Sequence, residues 1–144
     1  MSKLTLAQAN VIIEAALRKA HASGYSPLAV VVLDDAGHIK AAARDDNASM
    51  FRFDVGLGKA WAAVAMGCSS RALAKRAKDN PNFMITLAAT AHGKFLPQQG
   101  GVLIRAADGT ILGAVGISGA TGDQDEECAA HGIEQAGLQA DASA

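Results

Sequence analysis

Residues 29–33 read Ala-Val-Val-Val-Leu, a short and wholly apolar run with three β-branched side chains in a row. Successive side chains of a strand point to opposite faces, so such a run needs apolar cover on both of them. A chain built around it must place a sheet in a middle layer and set other elements on each side. The rest of the sequence supplies those covering elements.

Thr5-Leu6-Ala7-Gln8 has the form of a capping box, in which the Thr hydroxyl accepts from the third helical N–H and Gln8 reaches back. Ala9, Ile12, Ile13, Ala16, Leu17 and Ala20 follow at helical spacing, and Gly24 supplies a stop, which predicts a helix over 5–23. Asp34-Asp35-Ala36-Gly37 is a turn, and 39–44 is the returning strand. Residues 54–69 read as a helix with Leu57, Trp61, Val64 and Cys68 on one face. Its glycines at 56, 58 and 67 imply close approach of another backbone. Ser69 or Ser70 caps a further helix to about Lys78, closed by Asn80-Pro81, and a third runs from Asn82 to about Thr90. A loop over 91–101 leads to a second hairpin, 101–105 and 110–118, turning at Asp108-Gly109. Gly113 and Gly116 mark a bend or a surface approached closely. Asp123, with Glu126 three residues on, is read as the cap of a last helix reaching about Leu138, and 141–144 as a fraying tail. The order α, ββ, ααα, ββ, α describes an α+β chain forming an α/β/α sandwich on a mostly antiparallel sheet, one domain over residues 1–144.

Composition removes several function classes. Thirteen basic residues against fourteen acidic ones leave a net charge of -1, and only one Trp, one Tyr and four Phe are present. Neither a phosphate-binding excess nor a set of stacking aromatics exists, so no nucleic-acid partner is expected. Cys68 and Cys128 form no CxxC pair, which suits a reducing cytoplasm. The amino terminus shows no unbroken apolar leader, and no apolar run nears the roughly 20 residues that cross a bilayer, so no membrane partner is expected. No nucleotide cofactor is expected either: P-loop and dinucleotide fingerprints are missing, and Gly56-Leu57-Gly58-Lys59 is too short for a phosphate loop.

Several segments, in this order and spacing, resemble the GlcG/HbpS family of haem-binding and haem-degrading domains, also found as the C-terminal domain of PduO-type proteins. They are Leu6 to Ala16, Val31 to Gly37, Ala43-Arg44-Asp45-Asp46, Lys59-Ala60, Gly100-Gly101, Gly113 to Gly119, and Gln124-Asp125-Glu126 with Cys128-Ala129. The resemblance implies a profilin-like sandwich with a five-stranded antiparallel sheet, a homo-oligomer (commonly an octamer in the family), and haem or another tetrapyrrole as ligand. Two departures bear on the ligand. Asp45-Asp46-Asn47 stands where the family often has Asp-Gly-Ala, and Trp61-Ala62-Ala63 follows Lys59-Ala60 where the family often has x-Thr-Ala.

Candidate site residues follow from these segments. Arg44 and Asp45 end a strand beside a turn, where a guanidinium can grip a carboxylate in two-pronged fashion; a surface ion pair or a turn cap would use the same residues. Lys59 can anchor an anion or, if desolvated, act as a base; it can equally snorkel to solvent. Gly100, Gly101 and Ser118 leave backbone N–H groups open to a carboxylate or oxyanion, or simply serve hairpin geometry. Trp61 reshapes the pocket relative to the family. Of the four histidines, His92 is the best placed as an axial iron ligand. Asp125 and Glu126 read as first-turn helix charges with a structural role, and the two cysteines as buried small hydrophobes in helices. Two functions follow. One is a small intracellular ligand-binding protein with a pocket between the second helix, Arg44 and Gly100-Gly101. The other is an enzyme acting on a small carboxylic or aromatic catabolite, with Lys59 or Asp45 transferring protons beside a glycine-rich oxyanion site.

Overall fold

The computed structural model describes residues 3–144. Helix α1 (Leu6–Ser23) precedes the hairpin β1 (Ala29–Asp34) and β2 (Ile39–Arg44). Three helices follow, α2 (Phe51–Met66), α3 (Ser70–Asp79) and α4 (Pro81–Thr90). The second hairpin is β3 (Gly101–Arg105) and β4 (Ile111–Ser118), and the chain closes with α5 (Gly122–Gln135) and β5 (Gln139–Asp141). The five strands form one sheet in the order β2-β1-β4-β3-β5, every neighbouring pair antiparallel. The α+β sandwich with a five-stranded antiparallel sheet is thus the observed fold.

Strand alternation divides the core as the opening run requires. Val30 and Val32 of β1, Val102 and Ile104 of β3, and Val115 and Ile117 of β4 face one side, where α1 and α5 supply Ile12, Ala16, Cys128 and Ile133. Val31, Leu33, Leu103 and Ala114 face the other side, against Ala60 and Ala63 of α2. Gly116 shares this second face, and a Cβ placed there would collide with the Gly56 carbonyl and with Ala60. The glycines of α2 and β4 therefore let a helix backbone lie directly on a strand backbone. A satellite cluster of Ala62, Leu73, Met84 and Phe95 carries α3 and α4 on the outside of α2.

Several boundaries differ from expectation. Helix α2 starts at Phe51, three residues early, with no side-chain cap at Met50 to announce it. Gly67 is its left-handed C-cap rather than an interior residue, so Cys68 lies beyond the helix and is only half-buried. Thr121, not Asp123, caps α5: its hydroxyl accepts from the Gln124 N–H and Gln124 reaches back to the cap. That helix ends at Gln135, and the chain then forms the edge strand β5, whose last residue, Asp141, opens the segment read as a fraying tail. Asp141 pairs with Arg105 at 2.8 Å, and the Ser143 carbonyl accepts from the Ser69 hydroxyl at 2.6 Å. No helix among the described residues is long and apolar enough to cross a membrane.

Candidate functional site

The strand register separates the candidate residues into two groups. Ala29 lies opposite both Arg44 and Ser118, and Gly101 lies opposite Gly116. Arg44, Asp45, Ser118, Gly100 and Gly101 therefore gather at one end of the sheet. Trp61 sits toward the other end, beside Gly37 of the β1–β2 turn. From Ile39 to Arg44 the strand spans roughly 17 Å at about 3.4 Å per residue.

At the first end the protein already satisfies most of the polar groups. The exposed Arg44 guanidinium donates to the Ala48 carbonyl and so ties down the loop into α2. Asp45 accepts from the Asp46 amide and lies 2.6 Å from Nε2 of His21, in the last turn of α1. Lys59 does not snorkel. Its side chain is buried, and Nζ donates to the Ile117 carbonyl at 2.8 Å and to Oδ2 of Asp125 at 3.1 Å. The other Asp125 oxygen accepts from the Ala120 amide at 3.0 Å. Burial pushes the Asp125 carboxyl up, opposed by the Lys59 charge and the Ala120 N–H. Asp125, read as a simple first-turn charge, is one half of a sealed ion pair joining α2 to α5 around the end of the sheet. A substrate could reach Nζ only by displacing one of these partners, so the arrangement holds charge in place rather than offering a base.

The glycine pair is explained by the same packing. A Cβ on Gly100 would fall 2.8 Å from Lys59 Nζ, and one on Gly101 would strike the Lys59 carbonyl and lie 2.8 Å from Ser70 Oγ. The Gly101 amide donates to that hydroxyl at 2.6 Å. The space that sequence reading gave to a ligand's edge is filled by α2 and the start of α3, and Ser118 is buried beside it. Arg71 of α3 completes the closure with a two-pronged grip on Glu126 of α5, its Nη2 2.8 Å from Oε1.

Open space lies at the second group. An apolar hollow of about 200 Å³ is lined by Trp61, Met66, Leu87, Thr90 and Phe95, with Ala91 at its edge. His92 is the next residue, exposed and left-handed at φ 56° in the turn that ends α4. On the Gly37 side, Trp61 also borders a hollow of about 280 Å³ with His38, Ile39, Leu57 and Lys94. Helix α4 carries no charged residue from Pro81 to Thr90 and exposes Phe83 and Ile85. That uncharged stretch was the available sequence signal for this face. The pairing of Lys59 with Asp125 had none, since 66 residues separate them. Among the described residues no cluster of three or more His, Cys, Asp or Glu side chains is arranged to hold a metal ion.

Comparison with known proteins agrees with this architecture. The family described as haem degrading protein HbpS-like matches residues 4–134, and the chain belongs to that family. Its fold is shared with a crystal structure of a PduOC–heme complex at TM-score 0.84 and 25% identity, covering 95% of this chain and 97% of that one. A double mutant of Streptomyces reticuli HbpS matches at TM-score 0.79 and 29% identity, covering 93% and 87%. Klebsiella pneumoniae protein ORFY is similar in fold at TM-score 0.85 and 24% identity, covering 95% and 93%. No curated protein matches the chain in sequence.

Proposed function

We propose that this chain is a haem-binding protein of the HbpS-like type, taking haem or another tetrapyrrole on the flank formed by α2 and α4. The observation that carries the proposal is its likeness, over nearly the full length of both chains, to a relative crystallised as a haem complex. The flank is supported by chemistry: an uncharged helix, the exposed Phe83 one turn before Leu87, the hollow beside Trp61, and an accessible imidazole at His92. These residues would hold a macrocycle against the surface, and the His92 imidazole is the group that would meet its iron. They do not fit an enclosed one, because pockets that bury ligands of this class run to roughly 300–1,000 Å³.

Bound haem would supply an iron centre for gas, peroxide or electron chemistry. The chain's own part is to present His92 Nδ1 or Nε2 to the metal and to keep water from one face of the ring through Trp61, Leu87 and Phe95. Lys94 stands two residues from His92 and can meet a propionate. Arg44, Asp45, Lys59, Gly100, Gly101 and Ser118 fall outside this reading because they lie at the other end of the sheet, where Lys59 and the glycines are sealed by packing. Assembly as a homo-oligomer, up to the octamer, belongs to the proposal, as does a reducing compartment such as the cytoplasm; the free thiols suit the latter.

A haemin titration of the full chain, followed at the Soret band, tests the function. Saturation at one haem per chain, with the shifted band lost in His92→Ala, is expected. A spectrum that never saturates would reject haem as the ligand; saturation unchanged in His92→Ala would remove that residue as axial ligand.

A further inference from the structure

The two hollows that share Trp61 differ in chemistry, and the difference is that of an amphipathic anion. We propose that Trp61 is the common wall of a bipartite site for a small carboxylic acid with an aryl or short alkyl tail. The site shares Trp61, Leu87, Phe95 and Lys94 with the proposed haem flank, so the two ligands would exclude one another, and its argument rests on the hollows alone.

The tail side is the hollow between α2 and α4. Its walls are Met66, Leu87, Phe95 and the Trp61 ring, and the one polar group, the Thr90 hydroxyl, already donates to the Thr86 carbonyl at 3.1 Å. At about 200 Å³ it exceeds the ~150 Å³ apolar cavity known to hold benzene, so a phenyl ring or a short chain fits.

The head side is bordered by Gly37, His38 and Lys94 and has no Asp or Glu in its lining. The indole N–H edge faces it, since a Cβ at Gly37 would lie 3.7 Å from Trp61 Nε1. Among the described residues neither Lys94 nor His38 is in an ion pair. The two carboxylates of the β1–β2 turn are engaged elsewhere. Asp34 accepts from the amides of Ala36 and His38, and Asp35 pairs with Lys3 at 3.3 Å. An ammonium, an imidazole and an indole N–H thus border one hollow whose lining holds no side-chain anion, and that hollow shares Trp61 with an apolar one. A carboxylate on the Lys94 side with its tail behind Trp61 satisfies both halves at once.

Trp61 is the sole tryptophan, so its fluorescence reports occupancy of either hollow. The full chain is titrated with phenylbutyrate and with phenylbutanol, which differ only in the charged head, and stoichiometry is taken from calorimetry. The acid is expected to bind one per chain, roughly three- to tenfold more tightly than the alcohol, as a partly exposed charged hydrogen bond gives. Lys94→Gln should bring the acid down to the level of the alcohol and leave the alcohol unchanged. Ala65→Leu, at an exposed position on the rim of the apolar hollow, should weaken both ligands at least tenfold while the melting temperature stays near wild type. No saturable binding of the acid, equal affinity for acid and alcohol, or full binding in Ala65→Leu would each overturn the proposal. Haemin binding is measured separately, so the failure of either reading leaves the other standing.

Discussion

A lysine ammonium and an aspartate carboxylate held 3.1 Å apart and out of water are tolerable only together. Lys59 and Asp125 meet this condition because each has a second, backbone partner, Ile117 O and Ala120 N–H. Removing one charge strands the other. Lys59→Met is therefore expected to destabilise the fold by about 3–5 kcal/mol, measured by urea unfolding. The double variant Lys59→Met/Asp125→Leu should recover most of that loss. If Lys59→Met were neutral by itself, the pair would not be the latch described here. Close packing makes a second residue-scale prediction: a Cβ at Gly58 would lie 2.8 Å from Leu96 Cβ, so Gly58→Leu should cost about 1–3 kcal/mol in the same assay. The need for close approach along α2 could be read from its glycines. The occupant of the Gly100-Gly101 cradle could not, because it arrives from a helix forty residues earlier, where nothing local announces it. Cys128 is a simpler case: burial lifts its thiol to about 11, so iodoacetamide should leave it unmodified in the native protein near neutral pH.

Elements with strong local signals were legible, and the weakly signalled ones were not. Helix α1 has a complete capping box and a glycine stop, and β1 is a β-branched run; both fall where periodicity puts them. Gln139-Ala140-Asp141 has neither alternation nor β-branching, and only tertiary pairing with β3 makes it a strand. Helix α5 stops short of Leu138 because Gly137 turns left-handed at φ 79°. The β5 edge is held by charge. Burial favours a higher Asp141 value, but the Ser143 hydroxyl and amide with the Arg105 guanidinium hold the carboxyl below its usual range. A depressed carboxyl stabilises the fold above its ordinary value and loses that contribution as pH falls through the lowered one. Amide exchange in residues 139–141 should accelerate on acidification across that window. In Asp141→Asn it should be fast already at neutral pH, at a cost of up to about 1 kcal/mol. Identical exchange in wild type and variant at pH 7 would show that β5 is held by its backbone alone.

At the scale of the molecule, the two helical layers meet around one end of the sheet, where the Lys59–Asp125 and Arg71–Glu126 pairs lock α2 and α3 to α5. The opposite flank keeps its hollows and exposed apolar side chains. On the proposed reading, stability is held at the end of the sheet and ligand capture falls to the outer flank of α2. Met50 and Phe51, 79% and 60% exposed at the start of α2, form an apolar patch on the locked end, the surface expected to be covered by a further copy in the proposed oligomer. Phe51→Glu should lower the mass measured by light scattering after size exclusion without lowering haemin affinity per chain; an unchanged mass would move the interface elsewhere. The central claim concerns where the ligand lies, and hydrogen exchange of the haemin-loaded chain against the free chain tests it most directly. Added protection should fall on α4 and residues 91–95, leaving residues 44–48, 100–101 and 118–120 as they were. Protection confined to those latter segments would place the ligand at the locked end and contradict the account.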